Sequence, residues 1–238
     1  MTTVPARTTS AQRSLALLEA LAGSGRALGV SELGRLVGSP RGTVHKQLAA
    51  LAEAGWVEQD AEGRYCLSLT AATVGQAALA QMGLGRQVRD ALETIVAETG
   101  ETASIAVVHR SRTRIVQRAE SEHLLHADIR VGTEFPLSIG ASSHVLAAFG
   151  LPPAVLEAFR QNGVELPPDD VILRVRAEGV ARTVDELQPG ISAVSIPLRD
   201  TLREQVYALT LSAPNTRIDF DAHEAVLRRV RETLEAGR

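Results

Sequence analysis

The apolar residues of the first 55 positions recur every three to four residues, in short runs that glycines separate. This spacing is that of an α-helix with one buried face, and it predicts three short helices. Ser31 is expected to cap the second helix, and Ser39 and Pro40 are expected to begin the third. The inward positions, in chain order, are Leu15, Leu18, Ala22, Leu33, Leu36, Val37, Val44, Leu48 and Leu51.

The pattern changes to alternation after Gly55. Tyr65, Leu67 and Leu69 alternate with Arg64 and smaller residues, and a turn over residues 60–63 separates them from the strand that begins at Val57. Alternation on both sides of a short turn predicts a two-stranded hairpin. Three helices followed by a hairpin is the order of a winged helix-turn-helix domain.

The third predicted helix carries chemistry suited to DNA. Thr43 and Lys46 point away from its buried stripe at about 100° per residue, and Arg41 lies in its first turn. Small neighbouring residues let a helix approach the major groove, where Arg and Lys reach base edges or phosphates. An ordinary solvated face fits this helix alone equally well, but its place in the domain favours DNA. The candidate DNA-binding residues are Arg41, Thr43, His45, Lys46, Gln47 and, in the hairpin, Arg64.

The remaining residues predict helices around a mostly antiparallel sheet, which makes an α+β domain. Residues 71–84 read as an uncharged, alanine-rich connecting helix. The predicted strands cover residues 102–110, 113–120, 124–132, 190–200 and 204–214. The predicted helices cover residues 86–99, 142–149, 152–159, 167–179 and 221–236.

Composition narrows the functional classes. The 238 residues suffice for two domains, and the net charge of -3 argues against a uniformly basic nucleic-acid binder. Only a local patch could bind DNA, and Lys46, the single lysine of the chain, lies in the patch proposed above. No apolar run reaches membrane-spanning length. Residues 1–9 read as a disordered tail without a secretory signal, and the lone Cys66 fits a reducing cytoplasm.

No residue pattern indicates an enzyme, a cofactor or a metal. The sequence has neither a Cys–His cluster nor a phosphate-binding glycine loop. The two histidines of "HLLH", residues 123–126, would face opposite sides of a strand and could not chelate one ion. We therefore expect no catalytic residues, no cofactor and no metal site.

Two stretches, "GTVHKQLAALAEAGWV" and "GRYCLSLTAATVG", resemble the DNA-binding domain of IclR-family bacterial transcriptional regulators. The later stretches "VGTEFPLSIGASSHVLAAF" and "VRAEGVARTVDELQPGISAVSIPLRD" resemble the GAF-like effector-binding domain of the same family. The resemblance spans about residues 10 to 236 and implies base contacts at Arg41, Thr43 and Lys46. Gly42 departs from the family pattern, where serine is common.

The resemblance also implies where a small molecule binds. Ala141 and Ser142 match the turn into a helix that follows the "PL" strand, and the other family positions match Thr183, Ala193, Thr210 and Ser212. In that helix Ser143 and His144 replace the family's glycine and lysine. Backbone N–H groups at a helix N-terminus attract a carboxylate, and nearby hydroxyl groups can hydrogen-bond it. Ser143 is included among the candidate effector-binding residues.

These observations predict a ligand-responsive DNA-binding regulator, either a repressor or an activator, controlled by a small organic acid. It is expected to bind a double-stranded operator as a homodimer or tetramer, because one winged helix buries little DNA surface. The predicted organisation is a winged helix-turn-helix domain at 10–70, a linker helix at 71–85 and an effector domain at 86–238. The alternatives are an enzyme-like α+β domain tethered to a DNA-binding module and a DNA-binding protein that senses no ligand.

Overall fold

The computed structural model describes residues 9–236 and divides the chain into two compact units, Met1–Gln81 and Met82–Arg238. The elements of the N-terminal unit are α1 (Ser10–Ser24), α2 (Val30–Val37), α3 (Arg41–Glu53), β1 (Val57–Gln59), β2 (Tyr65–Leu67) and α4 (Leu69–Gln81). The predicted tail at 1–9 lies outside the described residues except for Thr9. Thr9 caps α1: its side-chain hydroxyl accepts a hydrogen bond from the Gln12 backbone N–H, and the Gln12 side-chain carbonyl accepts one from the Thr9 backbone N–H.

The winged helix-turn-helix architecture is confirmed. The three helices bury one shared core, built from Leu17, Leu33, Val44 and Leu48 with their neighbours. Strands β1 and β2 pair antiparallel as the wing. Backbone hydrogen bonds from Leu28 to Tyr65 and back fasten this hairpin to the segment before α2.

The starts of α2 and α3 differ from the sequence-based expectation. Gly29 occupies the N-cap of α2, so Ser31 lies inside the helix and does not cap it. Pro40 is the N-cap of α3, and no side chain caps this helix. The Pro40 carbonyl accepts from the N–H groups of Thr43 and Val44, so backbone geometry begins this helix where a serine hydroxyl was expected to.

The C-terminal unit is an α+β domain, as predicted. Its six strands form one antiparallel sheet in the order β5-β4-β3-β8-β7-β6. Its helices are α5 (Arg86–Thr99), α6 (Ala141–Phe149), α7 (Pro153–Gln161), α8 (Asp169–Glu178) and α9 (Phe220–Ala236). Its strands are β3 (Thr102–His109), β4 (Arg112–Ala119), β5 (Glu134–Pro136), β6 (Ala181–Val184), β7 (Ile191–Asp200) and β8 (Gln205–Pro214).

Helices cover both faces of this sheet. Helix α6 packs on β6, β7 and β8 and contacts α8, whereas α5 and α9 pack together on β3, β4, β7 and β8. Ala106, Ile115 and Ala208 belong to the core under α6. Residues alternate between faces along a strand, so neighbours such as Leu209 face α5 and α9. The face under α6 contains the candidate effector site.

One prediction in this unit was wrong and one strand was missed, and the start of α4 in the N-terminal unit also differs from the prediction. Residues 124–132 are not a strand, because they form no ladder and are held instead by the side chains of other segments. Strand β6 was not predicted, since four residues are too short for a visible alternation. The connecting helix runs from Leu69 to Gln81, so Leu69 begins α4 and does not extend the wing.

Candidate functional site

Helix α3 presents a polar face. Arg41, His45 and Lys46 are exposed and Thr43 is half-buried, while Val44, Leu48 and Leu51 are buried. Within the described part of the chain, Arg41 and Lys46 form no ion pair, so their charges are available to phosphates or bases. Ala49 and Ala50 are exposed beside them, and their short side chains let the helix backbone approach a bound molecule closely.

Gln47 does not share that face. Only 9 % of its surface is exposed, because it lies three residues after Val44 and four before Leu51, on the buried stripe. We therefore leave Gln47 out of the proposed reading face.

Arg64 in the wing is already neutralised by two carboxylates. Its Nε donates to Asp60 Oδ2 at 2.7 Å, and its Nη2 donates to Glu62 Oε2 at 3.0 Å. The hydrogen bond to Asp60 raises the pKa of the Arg64 guanidinium. A phosphate contact by Arg64 requires that it leave these partners, whereas Arg41 and Lys46 have none to leave.

The candidate effector residues meet beneath the N-terminus of α6. Cross-strand pairing aligns Thr102, Ser212, Ala193 and Thr183 on β3, β8, β7 and β6. The neighbouring row contains Ser104 and Thr210. Ser104, Ile115, Ile129, Phe135, Gly140, Ala141, Ser142, Thr183, Leu187, Gln188, Ile191, Ala193, Thr210 and Ser212 line a single pocket.

Six of the seven predicted effector residues line this pocket, namely Ala141, Ser142, Thr183, Ala193, Thr210 and Ser212. Ser143 does not. Its hydroxyl donates to the Pro136 carbonyl at 3.1 Å and lies 2.7 Å from Thr113 Oγ1, so it joins α6 to β4 and β5. Successive residues of a helix point about 100° apart, which directs Ser142 into the pocket and Ser143 away from it.

The hydroxyl groups of the pocket are unevenly engaged. Thr210 Oγ1 lies 2.8 Å from Ser195 Oγ, which also contacts the Leu209 carbonyl. The hydroxyls of Ser104, Ser142 and Ser212 make no hydrogen bond to any residue that the structure describes, although all three residues are at most 5 % exposed. Their oxygens are not among the fully enclosed unpartnered side-chain atoms of the described residues, which are Gln117 Oε1 and Arg231 Nε, so they face the space of the pocket. These three are therefore the groups best placed to hydrogen-bond a bound molecule.

Helix α6 points its N-terminus at the pocket without a side-chain cap. Gly140 is the N-cap residue, with φ of 86°, a backbone conformation that favours glycine. Glu186 accepts the Gly140 N–H at 2.9 Å, and His144 Nε2 lies 3.4 Å from the same carboxylate. The remaining first-turn N–H groups carry the positive end of the helix dipole, which favours an anion.

A loop between β6 and β7, residues 185–190, closes one side. Asp185 accepts hydrogen bonds from the Asn215 side-chain amide and the Gly190 N–H, and the bond from Asn215 lowers the pKa of its carboxyl group. The loop brings Leu187 and Gln188 to the pocket. The cavity volume is only about 20 Å³, room for about one water molecule.

Sequence reasoning missed several lining residues, Ser104 above all. The alternation of residues 102–106 places Ser104 and Ala106 on one face, but only the register of β3 against β8 puts Ser104 beside Thr210. Ile115, Ile129, Phe135, Leu187 and Ile191 add an apolar wall. No local signal marks these apolar residues as different from ordinary core residues.

Two further features bear on function. In residues 9–236, no helix is long and apolar enough to cross a membrane. His123 and His126 do not form a metal pair: His126 Nδ1 lies 2.6 Å from the His123 carbonyl, and its Nε2 lies 3.0 Å from Glu120 Oε1. No group of three or more potential metal ligands occurs among these residues.

A DNA-reading unit and a ligand-pocket unit in one chain define a ligand-responsive transcriptional regulator, and comparison with known proteins agrees. Residues 10–61 match the IclR helix-turn-helix domain, and residues 76–236 match the C-terminal domain of IclR bacterial transcriptional regulators. The chain therefore belongs to the IclR family. The expected fold class, with a GAF-like effector domain, is confirmed.

Curated relatives and solved structures agree over nearly the whole chain. The glycerol operon regulatory protein of Streptomyces coelicolor is 30 % identical, over 88 % of this chain and 86 % of its own. The DNA-binding transcriptional repressor YiaJ of Escherichia coli is 26 % identical, over 98 % and 87 %.

The crystal structure of HmgR from Pseudomonas aeruginosa has a TM-score of 0.76 and 28 % identity, covering 94 % of this chain and 98 % of its own. An IclR homologue from Microbacterium hydrocarbonoxydans, crystallised with 4-hydroxybenzoate, has a TM-score of 0.81 and 16 % identity, covering 96 % and 98 %.

Proposed function

We propose that the pocket beneath α6 binds a small organic acid that controls binding of the chain to operator DNA. The acid's carboxylate faces the first turn of α6, and Ser142, Thr210 and Ser212 hydrogen-bond it. The observation that carries this proposal is the set of serine hydroxyls that face the pocket from buried residues, make no hydrogen bond to the described residues, and lie beside a helix N-terminus without a side-chain cap. The homologue that holds 4-hydroxybenzoate supports a carboxylate as the first probe.

The apolar wall restricts the acid further. Ile115, Phe135 and Leu187 are apolar residues of the lining, and no charged side chain belongs to it. A ligand with a carboxylate at one end and a compact apolar body satisfies both the hydroxyls and the apolar residues. Burial of that body supplies about 25 cal/mol for each Å² removed from water.

Ligand binding requires the protein to change. A cavity of about 20 Å³ cannot hold an organic acid, so the loop 185–190 or the segment 121–133 must move outward. A ligand that binds only the opened arrangement shifts the population toward it. We infer that this shift changes the affinity for DNA.

The N-terminal unit is the proposed DNA reader. Arg41, Thr43, His45 and Lys46 form its reading face on α3, with Arg64 in the wing as a further contact once its carboxylates are released. The operator would contain two half-sites about one helical turn apart, or a multiple of that. The proposed organisation is a DNA-reading domain from residue 10, the linker helix α4 in place of the linker expected at 71–85, and an effector domain at 86–238. We place the protein in the cytoplasm with its DNA.

We propose regulation without catalysis in place of the enzyme-like alternative. The His144 ring contacts the Ser138 carbonyl and the Glu186 carboxylate, and among the described residues it makes no hydrogen bond to a serine hydroxyl. A nucleophile needs an adjacent base to become reactive at neutral pH. The arrangement supports recognition of a carboxylate and offers no activated nucleophile among the pocket residues.

We propose that the chain acts as a homodimer or tetramer, with α4 in the contact. Helix α4 has no charged residue and no buried residue, and Leu69 and Val74 are exposed on it. An exposed apolar helix face is typical of an interface. Light scattering at micromolar concentration should give at least twice the mass of one chain; a monomer that still binds the operator tightly would contradict this proposal.

Calorimetry of a serine variant tests the pocket. Ser212→Ala removes a hydroxyl that faces the ligand, so affinity for the tightest carboxylate of a small panel should fall about tenfold or more. DNA binding without ligand should stay unchanged.

Leu211→Val is the matched control. Leu211 precedes Ser212 on β8 but faces the opposite side of the sheet and is fully buried. It should lower the melting temperature and leave the ligand dissociation constant unchanged. Equal affinity of Ser212→Ala and wild type would remove Ser212 from the site.

A further inference from the structure

Arg118 lies beside the pocket, although it is not part of the lining. It is the cross-strand partner of Ser104, which in turn pairs with Thr210. Residues that pair directly across a sheet point to the same face. Arg118 therefore extends the row of pocket hydroxyls by one strand, onto β4.

A bulge produces this placement. The register of β3 against β4 shifts between Ile105 and Ala106, so Ala106 pairs with Ile115 while Ser104 pairs with Arg118. Regular alternation would send Ile115 and Arg118 to opposite faces, but the extra residue of a bulge returns both to the same one. A positive charge thus comes next to a pocket whose lining has none.

The Arg118 guanidinium now holds the segment that covers this side of the pocket. Its Nη1 donates to the Ile129 carbonyl at 3.0 Å and lies 3.5 Å from Asp128 Oδ1, while its Nη2 donates to Glu120. The side chain of Ile129 lines the pocket. Only 18 % of the Arg118 side chain is exposed. Arg118 is therefore linked to the row of pocket hydroxyls through its pairing with Ser104, and to residues 121–133, the cover segment, through the Ile129 carbonyl.

Both acidic partners of Arg118 have a second basic partner. Glu120 Oε1 lies 3.0 Å from His126 Nε2, and Asp128 Oδ2 accepts from Arg130 Nη2 at 3.0 Å. The hydrogen bond from Arg130 is the main cause that lowers the pKa of Asp128, and Arg118 contributes less. If Arg118 turns away, neither carboxylate loses its only partner. Arg118 is thus exchangeable, which a purely structural arginine need not be.

We propose that Arg118 is a further effector-binding residue, which leaves the Ile129 carbonyl and donates to an anionic group of the bound acid. This inference rests on the proposed function of the pocket. A charge-assisted hydrogen bond from Arg118 selects an acid over its neutral amide. The exchange also releases Ile129, while Arg217 still holds the same segment through the Leu125 carbonyl at 2.7 Å. Ligand binding is thereby coupled to the cover segment, residues 121–133.

The test is calorimetry on Arg118→Gln and on the control Arg114→Gln. Arg114 lies on the same strand, pairs with Val107 on the opposite face and forms an ion pair with Glu134 at 3.5 Å. The probes are acetate, pyruvate, benzoate and 4-hydroxybenzoate, together with the amide of whichever acid binds wild type most tightly. Arg118→Gln should weaken binding of that acid about tenfold or more and change amide binding less than about twofold. Arg114→Gln should bind both like wild type.

Hydrogen exchange gives a second readout, because the cover is predicted to respond to the ligand. The saturating acid should change the exchange of amides 122–131 in wild type and in Arg114→Gln, but not in Arg118→Gln. Equal acid affinity in the two variants would overturn the role of Arg118 while leaving the pocket intact, provided that Ser212→Ala still loses affinity. Failure of every acid to bind wild type would overturn the proposed function and this inference with it.

Discussion

Arg41 and Lys46, like Arg35 on α2, have no acidic partner among the described residues, unlike two other arginines of the N-terminal unit. Arg26 pairs with Glu32, and Arg64 pairs with Asp60 and Glu62. An exposed ion pair contributes little to stability, but it neutralises a positive charge that would otherwise be attracted to DNA phosphates. At the scale of single residues, the cost of moving to a phosphate is therefore lower for Arg41 and Lys46 than for Arg64.

Replacing either residue should weaken specific DNA binding without loss of the fold. Arg41→Ala and Lys46→Ala should each cost about 1–3 kcal/mol if the side chain contacts a base. A phosphate contact would instead reduce the salt dependence by about one ion and weaken all sequences alike. Fluorescence anisotropy on operator and random DNA at several salt concentrations distinguishes these roles.

Arg174→Ala serves as the control for this experiment, since Arg174 is exposed on α8 in the C-terminal unit. It should bind DNA like wild type. If both α3 variants also bind like wild type, α3 is not the reading helix.

At the scale of elements, hydrophobic spacing predicted most helices, because a buried stripe must repeat with the helical period whatever the tertiary context. It failed at residues 124–132, where apolar and β-branched residues are frequent but no ladder forms, and the only backbone hydrogen bond from this described segment to a strand is the one from the Gly132 N–H to the Ile115 carbonyl. Leu124 and Leu125 are exposed there, and Arg118 and Arg217 bind the carbonyls instead. Helix caps were also misplaced, since a glycine or proline backbone can begin a helix without a serine hydroxyl.

Helix α3 contains a weak position that can be improved. Gly42 lies in its first turn, with a backbone that any residue adopts and no atom within 4 Å of an added Cβ. Gly42→Ala should stabilise the N-terminal unit by about 0.5–1 kcal/mol, because alanine loses less backbone entropy on folding. Trp56, the single tryptophan, packs on the core of this unit and reports its unfolding by fluorescence.

Gly38→Ala supplies the opposite sign. Gly38 ends α2 with φ of 65°, a conformation that costs an alanine about 1–2 kcal/mol. The Gly38 N–H donates to the Gly34 carbonyl, and an alanine at this position keeps the N–H. The expected loss of stability therefore comes from the backbone conformation alone. Urea titration of both variants gives the midpoint of unfolding. A lower midpoint for Gly42→Ala than for wild type would show that the first turn of α3 tolerates no side chain.

At the scale of the whole molecule, the pocket is assembled by register. Ser104, Ser142, Thr183, Thr210 and Ser212 come from four different elements, β3, α6, β6 and β8. The pairing of β3, β8, β7 and β6 brings the strand residues together beneath α6. Local patterns predicted β3, α6 and β8 but not β6, and they contain no information on which strand lies beside which. The family resemblance supplied six lining positions, whereas Ser104 and the bulge that turns Arg118 toward the pocket became visible only in three dimensions.

In the mechanism proposed above, an acid in this pocket changes the affinity of the N-terminal unit for DNA. Reciprocal coupling between two such sites is commonly worth about 1–3 kcal/mol, or about 5–150-fold in affinity. The coupling must disappear, at a given ligand concentration, in a variant that no longer binds the ligand. Ser212→Ala should bind the ligand about tenfold more weakly and show the coupling only at higher ligand concentration. Its substitution lies in the pocket of the C-terminal unit and not in the DNA-reading unit.

The most direct measurement is a mobility-shift titration of an operator fragment, selected from random DNA by the wild-type protein, with and without the tightest acid. The acid should change wild-type affinity at least about fivefold. Ser212→Ala should match wild type without acid and respond only at about tenfold higher acid concentration. Ligand control of DNA binding is contradicted if an acid binds by calorimetry yet leaves operator affinity unchanged. It is also contradicted if the acid changes the operator affinity of Ser212→Ala at the same concentration as that of wild type.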